Sequence, residues 1–192
     1  MTSPDRTAAD AFLVAHDAEA IEHPGGTLLA HLRRTADVLQ RWGAPDELVL
    51  AGLCHAAYGT DGFAPHLIEH GERDVLVAII GTAAEAIVYR YASCDRAHLN
   101  AQLPPPLPVP LPVEPGAADT PTHRDRFTGV VAPLSPAELH QFCELTFANE
   151  LDLLAFPAFF ALHAEAIAVE FATWQPLVSS DAWRAFTALV DA

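Results

Sequence analysis

The chain has 192 residues, 51% hydrophobic and 18% charged, with a formal charge of -15. That is ample apolar material for one compact domain and excludes disorder of the whole chain. All ten basic residues are arginine, which excludes Schiff-base chemistry on a lysine, a phosphate-loop lysine and pyridoxal phosphate held by an internal aldimine. The acidic balance argues against a nucleic-acid backbone or an anionic membrane as partner, because both need a basic face.

The first residues show no basic stretch followed by an apolar one, so no leader is expected. The longest apolar runs fall short of the roughly 20 residues of a membrane span. Cys54, Cys94 and Cys143 are sparse and far apart, which reads as reduced core thiols in a cytoplasmic protein.

In chain order, residues 8–20 read as a first helix. Glu22-His23-Pro24-Gly25-Gly26-Thr27 is a turn with Thr27 as a helix N-cap. Leu28, Leu29, Leu32, Ala36 and Leu39 then predict a helix over 27–42, ended by Gly43. Asp46 and Glu47 suit the first turn of the next helix, 46–57, which is apolar nearly all round and so central. His55 therefore belongs to the interior. Tyr58 to Phe63 is a loop. Short helices are expected at 64–70 and 72–80, with Gly81 separating them from a longer one at 82–98. Residues 102–123 hold a run of prolines that neither a helix nor an interior strand tolerates. This segment reads as an extended insertion, with a lid or a docking peptide as functional alternatives. Ser135-Pro136-Ala137-Glu138 opens a helix of 136–155, and 157–173 and 180–191 follow. The reading is one all-α domain, residues 1–192, with a proline-rich loop inserted at 102–123.

His31 and His55 lie on neighbouring helices, so two inward imidazoles could converge on one metal ion, completed by a carboxylate from a third helix. Hydrogen-bonded core histidines are the plainer reading. Gly25, Gly26 and Thr27 at a helix start could offer N–H groups to an anion, with His23 beside them; a plain interhelical turn is the alternative. Tyr58 and Asp61 follow His55 directly and would sit at the mouth of any cavity there.

The motif HLRRTADVL, followed some two dozen residues later by LVLAGLCHAAYGT, resembles the HD-domain superfamily. IIGTAAEAIVYRYA and LTFANELDLL resemble stretches of its Rel/SpoT-type hydrolase branch. HPGGTLL and AGLCHAAYGT are similar to a subfamily with no stated activity. The resemblance covers about residues 20–165 and implies an HD-like helical bundle with a metal site. It implies His31 and His55 as ligands of a divalent ion (Fe, Mn or Zn) that activates water or oxygen for a small-molecule substrate. The doublet's Asp is replaced by Ala56, and Asn149 stands at the last acidic ligand. A replacement carboxylate is needed, and Asp95 is the first choice ahead of Glu150 and Asp152, the last read as a solvated acid. A salt bridge from Asp95 to Arg96, or a helix cap, is the structural reading of that residue. His23, Tyr58 and Asp61 are the candidate catalytic groups. Gly25, Gly26, Thr27, Arg34 and Asn149 are the candidate substrate contacts. A homodimer is compatible with this reading. A non-catalytic HD-like module that binds a ligand or a protein is the alternative.

Overall fold

The computed structural model describes residues 6–103 and 120–190. The middle of the proline segment lies outside the described residues. Helix α1 spans Arg6–Ala15, and a small hairpin pairs β1 (Glu22–His23) with β2 (Gly26–Thr27). Then come α2 (Leu28–Arg41), α3 (Asp46–Cys54), α4 (Arg73–Ser93) and α5 (Arg96–Asn100). A second hairpin, β3 (Thr122–Arg124) with β4 (Val131–Pro133), leads to α6 (Pro136–Leu154), α7 (Pro157–Phe171) and α8 (Ser180–Val190). The fold is mainly helical, as the periodicity requires, with two short hairpins as its described strands.

The two central helices fall where their apolar spacing puts them. Thr27 caps α2 by accepting from the Ala30 N–H at 3.2 Å. Gly43, at φ +72°, turns the chain out of α2, and the Ala44 N–H reaches back to the Leu39 carbonyl. Helix α3 follows at once and packs on α2, while α4 and α6 close over the pair. Gly52 makes that packing close, because a Cβ there would meet Leu39 Cδ1 at 2.4 Å. At the start of α6, Ser135 and Glu138 form the expected reciprocal cap. Phe147, Phe171, Trp174 and Phe186 form an aromatic core beneath α6, α7 and α8.

Four expected boundaries move, the first being the end of α1, which stops at Ala15 with 16–20 as turn. Helix α3 stops at Cys54, leaving His55 as its C-cap and 56–58 as turn. Residues 64–70 are not helical: the Leu67 and Ile68 N–H groups both bond the Ala57 carbonyl, which ties this segment back over the end of α3. The segment 82–98 breaks at Cys94, whose extended backbone bridges to Asp125; the Asp95 N–H bonds the Arg124 carbonyl and a new helix then starts. Helix α4 has the length and hydropathy of a membrane span. Gly81, at φ +81° and ψ 160°, splits it, and it packs against α1, α3 and α6 with Glu85 buried, which marks a core helix.

At the base of the proline segment, the Gln102 amide oxygen accepts from the Thr122 N–H at 2.9 Å, and its amide nitrogen donates to the Thr122 carbonyl at 3.0 Å. The two described ends of the insertion are therefore clasped side by side.

Candidate functional site

His31 is buried at the centre of the helical pack. Its Nδ1 donates to Asp152 Oδ2 at 2.7 Å, and its Nε2 lies 3.0 Å from Asn149 Oδ1. The Asn149 amide is oriented by Glu150, to which its Nδ2 donates at 3.0 Å. The two ring nitrogens of His31 thus face the oxygens of Asp152 and Asn149, which fix the ring in place. Arg34 grips the same Asp152 carboxylate with two hydrogen bonds, at 2.6 and 2.9 Å, and lies over the Phe156 ring. Burial pushes the Asp152 carboxyl up, but the hydrogen bonds and charges of His31 and Arg34 outweigh it and hold the group below its ordinary range.

Two more imidazoles pack on His31. His23, on β1, stacks on it with centroids 4.1 Å apart, and His55 meets it edge-on at 5.2 Å. Burial and the neighbouring His31 depress His23 to about 4 and His55 to about 3, so both are neutral near pH 7. His55 Nδ1 donates to the Gly52 carbonyl at 2.8 Å, which leaves Nε2 with a free lone pair.

His55 lines a cavity of about 390 Å³ enclosed by the hairpin, the end of α3, the Thr60–Phe63 turn, α5, α6 and α7. Its polar wall includes His23, Arg96, Asn100, Asn149, Glu150 and Glu170, and its apolar wall includes Phe63, Phe159, Ile167 and Phe171. Three buried polar atoms that lack a partner belong to this wall: His23 Nδ1, Arg96 Nε and Asn100 Oδ1. Burial pushes the Glu150 and Glu170 carboxyls up.

His23, His31, His55 and Asn149 are therefore brought together. The other expected site residues are not. Asp95 accepts from the His98 N–H at 2.9 Å as the cap of α5 and pairs with Arg124 at 3.3 Å. It pairs with Arg124 rather than Arg96, and the carboxylate at the histidines is the buried Asp152, not a solvated acid. Arg34 is engaged by Asp152 rather than free for a substrate. Tyr58 points away, its hydroxyl donating to the buried Glu85 at 3.0 Å. Asp61 does stand at the cavity mouth, exposed, where it accepts from the Arg96 backbone N–H at 3.0 Å. The Gly25-Gly26-Thr27 turn holds no open anion cradle. The Leu28 and Leu29 N–H groups bond the Ile21 and Ala18 carbonyls, and Thr27 satisfies Ala30. Gly25 instead admits the Phe156 ring, which a Cβ would meet at 1.9 Å.

The residues do not fit a divalent ion. Among the described residues no group of three His, Cys, Asp or Glu side chains could hold one. Both ring nitrogens of His31 are engaged by Asp152 and Asn149, and Asp95, the expected carboxylate, is turned to the His98 N–H and Arg124. Nothing in the sequence singles out Asn100 and Glu170 as wall residues. Arg96, the first residue of α5, stands out as a cation just after the apolar α4, but the pattern does not show that it faces the cavity.

Fold and site together define a mainly helical protein with a polar cavity built against a cluster of buried histidines. A family described as a domain of unknown function (DUF6817) matches residues 12–96, a span that contains His23, His31 and His55 and ends at Arg96. No curated protein and no solved structure matches the chain.

Proposed function

We propose that the protein is an enzyme acting on a small organic molecule in the cavity beside His55, by general acid–base chemistry of the hydrolytic or hydrating kind. One observation carries the reading: unpartnered polar atoms of His23, Arg96 and Asn100 line the same cavity as the free Nε2 of His55. Buried polar atoms without partners mark a place where a ligand supplies them. Burial keeps the His55 imidazole neutral, with Nε2 as an acceptor, and pushes the Glu150 carboxyl up, the direction that favours its use as a proton donor. In this reading His55 Nε2 accepts a proton from water or substrate, and Glu150 returns one to the leaving atom. His31, fixed by Asp152 and Asn149, acts as a positioning residue that orients Asn149 and, through it, Glu150.

An HD-like origin for this scaffold is part of the proposal. It is supported by the chain order of His31 on α2, His55 at the end of α3 and the Asn149-to-Asp152 turn on α6, all meeting at one point. In such a lineage, the imidazole that once bound metal has become a hydrogen-bonded structural centre.

The test is a turnover screen on small esters, amides, nitriles and activated alkenes in water enriched in heavy oxygen, read by mass spectrometry. Label incorporation that survives dialysis against a chelator and is lost in His55→Gln supports the reading. Turnover that needs an added divalent ion overturns the acid–base mechanism. A complete absence of turnover alongside ligand binding favours the binding module.

A further inference from the structure

Arg96 differs in its partners from three other arginines of the helical pack. Arg34, Arg73 and Arg90 each hold a carboxylate at 2.6 Å. Arg96 holds none among the described residues, although its Nε is buried and without a partner. Its guanidinium lies over the Tyr91 ring, 4.7 Å from the centroid, and 5.8 Å from that of Phe142. These rings shield one side of the cation and leave its edge to the cavity.

The nearby acids are held by other hydrogen bonds and none makes an ion pair with Arg96 among the described residues, although Glu150 and Glu170 act on it through space. The adjacent Asp95 is turned to Arg124, and Asp61 is taken by the Arg96 backbone N–H. Glu170 accepts from Asn100 at 2.6 Å, and Glu150 accepts from Asn149. A buried guanidinium N–H without an acceptor is unfavourable, and a ligand in the cavity that Arg96 lines can supply one. The rest of the wall sets the character of that ligand. Phe159, Ile167 and Phe171 offer apolar surface, and the volume of about 390 Å³ suits a molecule of modest size.

We propose that Arg96 anchors the carboxylate of a small organic acid whose apolar body lies against Phe159, Ile167 and Phe171. This rests on the cavity being the functional site and names the class of molecule it takes. A planar carboxylate can meet the guanidinium edge with two parallel hydrogen bonds, which an amide or an amine cannot reproduce. Burial pushes the Glu150 and Glu170 carboxyls up, the direction that lessens repulsion of an incoming anion.

The experiment is calorimetric titration of the full chain at pH 7 with four acids, acetate, butanoate, benzoate and phenylacetate, each beside its primary amide and its matched amine. The expected result is binding that strengthens with the apolar body, at least about tenfold tighter for an acid than for its amide. Arg96→Gln removes that preference, leaving acid and amide within about threefold, and Arg96→Lys restores part of it. Circular dichroism and thermal unfolding establish whether Arg96→Gln is folded; the acid-to-amide comparison on the unaltered protein needs no variant. An amide or amine that binds as tightly as its acid overturns the proposal while leaving the cavity as the functional site. Failure of all four acids to bind overturns it as well. The label-incorporation screen, which is indifferent to ligand charge, reports separately on the enzymatic reading.

Discussion

Asp152→Asn is the most informative single change, because one carboxylate holds both the central histidine and a half-buried arginine. The substitution keeps the shape and removes the charge. It keeps one acceptor oxygen and turns the other into an NH2 that faces N–H donors, so at least one of three hydrogen bonds to the carboxylate, two from Arg34 and one from His31, is lost and the rest weaken. Hydrogen bonds to charged groups contribute about 1.5–3 kcal/mol each. The Arg34 side chain is 34% exposed, so its share is screened by solvent, whereas His31 is 1% exposed and its share is not. The expected loss is about 2–4 kcal/mol, read as a fall of about 1–2 M in the urea midpoint. The pH dependence has a fixed sign. The folded carboxyl lies below its ordinary value of 3.8, so its contribution is present above that pH and is lost as pH falls through the folded value. The difference between the two proteins should therefore be full at pH 6 and shrink as pH approaches 3. A variant within about 0.5 kcal/mol of the parent at pH 6 would refute the assignment of Asp152 as the holder of His31 and Arg34. So would a difference that stays constant with pH.

Other outcomes can be checked alongside. Gly52→Ala drives a methyl into Leu39 across the closest approach of α2 and α3 and should cost about 1–3 kcal/mol, a fall of several degrees in Tm by calorimetry. Burial, then His31, depresses His55 from 6.5 to about 3, so the unfolded chain binds the proton first and stability is lost as pH falls below about 6.5. His55→Gln should flatten the pH 6.5-to-4 slope of the unfolding free energy by about 2–4 kcal/mol across that window, and an unchanged slope counts against a buried neutral ring. Replacing residues 104–119 by a short Gly-Ser linker should leave the urea midpoint within about 1 kcal/mol, because the ends are clasped by Gln102 and Thr122. A larger loss means that the segment is part of the core.

The helices were legible because their signals are local. Apolar spacing from Leu28 to Leu39, the Ser135–Glu138 cap and Gly43 each act within one or two turns, and each falls in place. The meeting of His31 with His55 was legible too, since α2 and α3 are joined by a few residues and both histidines sit on apolar faces. The third member was not. Asp152 lies 121 residues from His31, and an acid near the end of a helix looks solvated unless the tertiary partner is known. Asp95 misled for the converse reason: its place after an apolar helix is equally that of a cap, and the chain carries Arg124 round to it. The turn at Gly25 showed glycines but not the Phe156 ring that makes one of them necessary.

A single turn of α6 separates two hollows. Asn149 and Glu150 face the cavity, whereas Leu151 and Asp152 face an outer groove of about 480 Å³ that is also lined by Arg34, Asp37, Val38 and Trp42. The partition between them is one helix thick, and His31 spans it by touching Asn149 on one side and Asp152 on the other. One imidazole therefore bonds a group of the outer groove and a group of the inner wall, so the two hollows lie two hydrogen bonds apart.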